Sequence, residues 1–242
     1  MKVGIMQPYF FPYIGYWQLM NEVDVYVIYD DVNFIKGGWI NRNRILTNGK
    51  PSYFNVQMKG ASPFKKINEV EVSDDPIFKR KLLSTLKMSY SKAPYFSQIY
   101  PIIENIINNK ESNLAKYLEY SIRSIANYLD MNTKIIISSD LKKNNELKGK
   151  EKVIHICKLL NATDYINAIG GQEMYDYESF AENCIQLNFL RTDDIFYKQY
   201  ENDFTPYLSI IDVLMFNSKE QVKEMLNKFE LVNNKVKIKW EK

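Results

Sequence analysis

Residues 2–31 read "KVGIMQPYFFPYIGYWQLMNEVDVYVIYDD". "KVGIM" is a short apolar run closed by Gln7-Pro8, and "DVYVIYD" (24–30) is a second run, rich in β-branched and aromatic residues. Both have the composition of buried strands. Between them Pro12, with fixed φ and no N–H, suits the first turn of a helix over "YIGYWQLMNEV" (13–23). A strand, a short helix and a strand in so few residues is the βαβ unit of a parallel sheet.

The pattern continues outward from that unit. "PSYFNVQMK" (51–59) and "INEVEVS" (67–73) read as strands, and "DDPIFKRKLLSTLKMSY" (74–90) has acid caps and a first-turn proline that start a helix. Ser112 is placed to cap a helix whose Leu114, Leu118, Ile122, Ile125 and Leu129 share one apolar face. "TKIIISSDL" (133–141) is a strand, "KKNNELKGKEK" (142–152) a solvated loop, "KVIHICKLLNA" (152–162) a helix, and "DYINAIGG" (164–171) and "IQLNFLR" (185–191) strands. "SIIDVLMFNSKEQVKEMLNKFEL" (209–231) supplies one or two closing helices, and "NNKVKIKWEK" (233–242) reads as a basic tail. The expected fold is α/β: one domain over 1–242 built on a mostly parallel, Rossmann-like three-layer sheet, with a helical insertion or lid around 74–130.

Composition narrows the function classes. Hydrophobic residues make up 45% and charged residues 25%, so the chain can bury a core and is not expected to be disordered. The 32 basic and 29 acidic residues are interspersed, which argues against a nucleic-acid footprint. Cys157 and Cys184 have neither metal-type nor disulfide-framework spacing and read as free thiols. No apolar run approaches the roughly 20 residues of a membrane span, and "MKVGIMQPYF" lacks a signal-peptide core, so a cytoplasmic location is expected.

The candidate chemistry clusters near the first two strands. Asp30-Asp31 lies at the carboxyl end of the second strand, where open parallel sheets place ligands. Adjacent strand residues point to opposite faces, so one of the two reaches a given site. In "GGWINRNR" (37–44), an extended backbone puts Arg42 and Arg44 on one face, where both guanidiniums would clamp a diphosphate or carboxylate. A helix would set them about 200° apart. Trp39 suits stacking on a sugar or base, and Asn41 and Asn43 suit bonds to hydroxyls; the plainer reading is a surface loop. His155, the single histidine, is a candidate base, but the helical wheel sets it opposite Val153, Ile156, Cys157 and Leu160, on the solvent side. Gly170-Gly171 with Glu173 at a strand end, and Tyr197 in "FYKQY", are further site-lining candidates. Ser209 and Asp212 have capping-box spacing. The chain has no Walker loop, G-x-G-x-x-G, nucleophile elbow or zinc spacing.

Four stretches, "MQPYFFPYIGYWQL", "DVYVIYDDVNFIKGGWINRNRIL", "GGQEMYD" and "FTPYLSIIDVLMFNS", resemble in order the WbqC-like family over about residues 1 to 220. The resemblance implies an enzyme of O-antigen or other surface-polysaccharide biosynthesis. Its implied activity is N-acyl or aminoacyl transfer to a nucleotide-linked amino sugar from an acyl thioester on coenzyme A or a carrier protein, with no bound cofactor or metal. Its recurrent residues fall on Gln7, Pro8, Pro12, Gly15, Asp30, Asp31, Trp39, Asn41, Arg42 and Arg44; His155 belongs to none of its motifs. Tyr13 and Tyr16 also stand where the H-x-G-H signature of nucleotidylyltransferase-like folds has histidines, a likeness of architecture.

In the transfer reading Asp30 or Asp31 takes a proton from the sugar ammonium. Gln7 orients a polar group, Arg42 and Arg44 hold the diphosphate, and Trp39, Tyr9 and Tyr13 stack on rings. Backbone N–H groups after Pro12 or at Gly170-Gly171 hold the oxyanion. The competing readings are an ATP- and magnesium-dependent nucleotidyl or adenylate-forming enzyme, with both aspartates on the metal, and a non-catalytic module that binds a carrier protein.

Overall fold

The computed structural model describes residues 1–200 and 203–233, so most of the expected basic tail lies outside the described residues. In chain order the elements are β1 (Lys2–Met6), α1 (Ile14–Glu22), β2 (Val25–Ile28), β3 (Arg42–Thr47), β4 (Lys50–Asn55), β5 (Met58–Lys59) and β6 (Glu71–Val72). Three longer helices follow, α2 (Pro76–Tyr90), α3 (Phe96–Ile107) and α4 (Leu114–Tyr128). The remainder is β7 (Lys134–Ile137), α5 (Gly149–Leu159), β8 (Asp164–Ala168), α6 (Tyr177–Ala181), β9 (Gln186–Thr192), α7 (Ile210–Phe216), α8 (Lys219–Met225) and β10 (Phe229–Val232).

The central sheet has the order β10-β9-β8-β1-β2-β7. All neighbours are parallel except β10, which runs against β9. The expected βαβ unit is present, with Val3 opposite Val25 and Met6 opposite Ile28. From β1 the chain winds outward through β2 to β7, then returns to the other side of β1 for β8 and β9. The winding therefore reverses between β1 and β8, the place where parallel sheets open a crevice at their carboxyl edge.

Side-chain alternation loads both faces of the sheet. Val3, Ile5, Val25 and Val27 join Val153, Ile156 and Cys157 of α5 and Phe180 of α6 in one buried cluster. Tyr26 and Ile28 face the other way, into a larger cluster that runs through α1, the helices α2 to α4, and α7 and α8. Burial pushes the Cys157 thiol up to about 12, which suits a packed hydrophobe and not a nucleophile. Trp17 on α1 is fully buried, and its indole N–H donates to Pro12 O at 3.1 Å, fixing the angle between the 7–13 loop and the helix.

Several local details differ from the sequence expectation. Asn113, not Ser112, caps α4, because its side chain accepts from Lys116 N. The strands read over 51–59 and 67–73 lie outside the central sheet: β3 pairs with β4 and β5 with β6 as separate antiparallel ribbons. The closing segment breaks at Asn217 into two helices, the second opened by a Ser218–Gln221 capping box. Phe229–Val232 then forms strand β10 and not helix, since the exposed edge of β9 supplies its backbone partners. Among the described residues no helix is long and apolar enough to cross a membrane.

Candidate functional site at the carboxyl edge of the sheet

The carboxyl ends of β1, β2 and β7 lie side by side and deliver Gln7, the pair Asp30-Asp31, and Ser138-Ser139. The two aspartates lie just beyond β2 and diverge. Asp30 Oδ1 accepts from Ser139 N at 2.9 Å, and Asp30 Oδ2 accepts from Ser139 Oγ at 2.6 Å and Asn68 Nδ2 at 3.1 Å. A carboxylate offers about four acceptor sites, so one site on Oδ1 is left over. Asp30 borders a cavity of about 280 Å³ together with Asn68, Asn113, Lys116, Glu119 and Ser139.

Asp31 faces the α5 side. Its Oδ2 accepts from Lys152 Nζ at 2.8 Å and lies 3.0 Å from Lys143 Nζ, while Oδ1 accepts from Ser138 Oγ at 2.6 Å. Side chains of both lysines are almost fully buried. Burial raises the Asp31 carboxyl, but bonds from Lys152, Ser138 and Lys143 outweigh it and hold the group below its ordinary value. A carboxylate so tied is a poor proton acceptor. Of the two candidate bases, Asp30, though almost fully buried, borders the cavity and among the described residues has no cation paired to it.

The cap of α4 also serves this site. Asn113 Nδ2 donates to Asn68 O at 2.7 Å, and Asn68 N donates to Asp30 O at 3.1 Å. Asn68 is therefore anchored from the start of α4 while its amide reaches the carboxylate.

The Asn-Arg run is extended, so Arg42 and Arg44 do share a face, yet they are not equivalent. Arg42 donates to the carbonyls of Gly37 and Gly38 and lies over the Tyr53 ring at 4.5 Å, bracing the glycine turn. Arg44 lies over Trp39 at 5.8 Å and donates to Tyr207 O at 3.2 Å, and its Nε is buried with no partner. A two-arginine clamp is thus replaced by one arginine with a donor to spare. Asn43 points inward and holds the turn after β1, donating to Phe10 O and Phe11 O at 3.3 and 3.0 Å. Asn41 donates to Val56 O at 3.4 Å. Both asparagines thereby donate to the backbone.

Tyr13 precedes α1, whose N-terminus has no side-chain cap, and its ring lies 5.7 Å from Tyr207. Tyr13 also borders a cleft of about 70 Å³ with Thr192 and Tyr197, and its phenol is pushed up to about 12 by burial and by nearby Tyr207 and Asp194. Tyr9 is half-buried against the Tyr16 ring at 5.7 Å, and burial raises its phenol. Tyr16 donates to Gln7 O at 3.2 Å, which fixes the backbone of Gln7.

Tyr197 donates to Asp212 Oδ1 at 2.7 Å, Gln199 to the same oxygen at 2.6 Å, and Tyr90 to Oδ2 at 2.8 Å. Asp212 is therefore the centre of a buried network and not half of a capping box; Ser209 alone caps α7, accepting from Ile211 N at 3.2 Å. His155 is half-buried and its Nε2 accepts from Asn144 N, which ties down the 142–148 loop. Gly170 and Gly171 lie in a 3-10 turn after β8, and a Cβ on Gly171 would stand 2.6 Å from Asn167 Nδ2. Glu173 is exposed in that turn.

Sequence reasoning passed over Ser139, Asn68, Lys143 and Lys152. The signal for Lys152 is a lysine beside Val153 and one turn from Ile156, on the apolar stripe of α5. The signal for Ser139 is its place directly after a parallel strand.

Residues 7–224 match the profile of the WbqC-like protein family. Over 220 residues, 89% of this chain and 93% of the relative, the sequence is 30% identical to Rv1507c of Mycobacterium tuberculosis (strain ATCC 25618 / H37Rv), a protein described as uncharacterized. No solved structure matches the chain. With nine-tenths of its length matched in order, the chain belongs to the WbqC-like protein family.

Proposed function

We propose that this protein is a cytoplasmic N-acyl or aminoacyl transferase that acts on a nucleotide-linked amino sugar in O-antigen or surface-polysaccharide biosynthesis. The observation that carries the reading is Asp30: a carboxylate at the carboxyl edge of a parallel sheet, held by Ser139 and Asn68, with one acceptor site left beside a polar cavity. The central-sheet strands, numbered 1 to 6 along the chain, run in the order 6-5-4-1-2-3, which supports a Rossmann-like architecture, with the Asp30 cavity at the carboxyl ends of β2 and β7. Tyr16 donates to Gln7 O, a backbone bond that offers no phosphate-binding histidine for nucleotidyl transfer.

In this reading the sugar ammonium occupies the Asp30 cavity. Asp30 takes one ammonium proton, and the amine nitrogen attacks the thioester carbonyl. The tetrahedral intermediate collapses with C–S cleavage, and the departing thiolate takes the second nitrogen proton, giving an amide and a thiol. The donor is an acyl thioester of coenzyme A or of a carrier protein. Arg44 and the uncapped start of α1 bind the diphosphate, with Trp39 and Tyr13 against the rings. Gln7 and the Gly170-Gly171 turn line the same edge.

The nucleotidyl reading asks both aspartates to bind magnesium, and two ammonium groups on Asp31 oppose that role. The test is direct: purified protein, a nucleotide-linked amino sugar and acetyl-coenzyme A or an acylated carrier protein, with the N-acylated sugar read by mass spectrometry. Amide formation that Asp30→Asn abolishes supports the transferase. Magnesium-dependent pyrophosphate release from ATP without amide overturns it, and carrier binding with no turnover on any amino sugar leaves a binding module.

A further inference from the structure

Helix α2 carries Lys79, Arg80, Lys81 and Lys87 and has no acidic residue from Pro76 to Tyr90. The side of α2 turned to α3 borders a groove of about 860 Å³, with Leu83 and Tyr100 among its lining residues. The lining holds four cations, Lys79, Arg80, Lys87 and Lys110, against two acids: Asp74, which pairs with Lys79 at 2.6 Å, and Glu104. Among the described residues Arg80 and Lys87 have no ion-pair partner, and they stand two turns apart on the rim of the groove. Ile77 and Met88, 65% and 82% exposed, lie outside the groove, on the side of Arg80 and Lys87 away from Leu83. The groove thus combines a concave helix pair, the apolar surface of Leu83 and Tyr100, and unpaired positive charge.

We propose that this groove receives an acidic amphipathic helix of a partner protein. A third helix laid between α2 and α3 would set its apolar face on Leu83 and Tyr100 and its carboxylates on Arg80 and Lys87. Charge complementarity of this kind steers encounter and suppresses basic competitors. A lipid surface fits less well, because a bilayer needs a convex apolar face and this one is a channel between helices. The inference stands apart from the transfer reading, since it is tested by binding without turnover.

The experiment titrates the full chain into a fluorescently labelled synthetic helix with leucine on one face and glutamate on the others, and follows anisotropy. Roughly micromolar binding is expected, weakened about tenfold or more by Arg80→Glu with Lys87→Glu, and weakened by added salt. Equal binding of a sequence-scrambled acidic peptide, affinity unaffected by the charge reversal, or no binding at all overturns the proposal. Binding to anionic phosphatidylserine vesicles in place of the peptide overturns it in favour of a membrane.

Discussion

Ser139 Oγ stands 2.6 Å from Asp30 Oδ2, while the backbone N–H of the same serine holds Oδ1 at 2.9 Å. One residue of the β7 end thus grips both oxygens of a carboxylate at the β2 end, which orients it without an ionic partner. Replacing Asp30 with Asn keeps the shape and removes the base. We expect a loss of about 10²–10⁴-fold in kcat with little change in sugar-nucleotide binding, measured by turnover alongside calorimetry. Unchanged turnover would show that another group takes the proton.

Asp31→Asn should act on stability instead. It leaves Lys143 and Lys152 buried with no carboxylate between them, and breaking a buried pair costs about 3–5 kcal/mol. The native carboxyl sits below its ordinary 3.8, so its contribution is complete above that value and is lost as pH falls through the lower folded one. Urea melts from neutral pH to pH 3 should show the acid-labile part in the native chain and not in the variant.

Tyr90→Phe should cost about 1–3 kcal/mol, because it deprives Asp212 Oδ2 of a donor and Leu46 N of its acceptor at once. Burial raises the Asp212 carboxyl against the bonds from Tyr197, Tyr90 and Gln199. The contribution of this group is full below the ordinary 3.8 and declines as pH rises through the elevated folded value. Removing a donor to the ionised form accentuates that trend, so the cost measured by denaturation should be larger at pH 7 than at pH 4.

Gly15→Ala should change sign with its neighbour. A Cβ at Gly15 would stand 2.6 Å from Thr192 Oγ1, a short branched side chain that cannot swing away, so overpacking of about 1–3 kcal/mol is expected. In a Thr192→Ala background the clash is gone, and alanine in a helix is favoured over glycine by about 0.5–1 kcal/mol. A double-mutant cycle in melting temperature reads the coupling.

The part of the fold written locally was the part that could be read. "KVGIM", Pro12 and "DVYVIYD" announce β1, α1 and β2 because burial and a proline at a helix start depend on near neighbours. Strand β10 escaped notice because four residues after a helix take strand form only through β9, some 40 residues earlier. Asp212 mimicked a cap with Ser209, and its true donors are 13, 15 and 122 residues away. Ser139 and Lys152 lie 109 and 121 residues from their aspartates, separations at which no spacing rule operates.

Strand β1 is central to the sheet, and one of its two edges is completed only by residues 164–166. During synthesis, then, residues 2–6 leave the ribosome long before their second partner exists. The crevice between β1 and β8 closes through a contact of very large sequence separation, the kind that slows folding and prolongs exposure of apolar strand. A nascent chain stopped before residue 164 would hold β1 with an open edge, a natural target for chaperones.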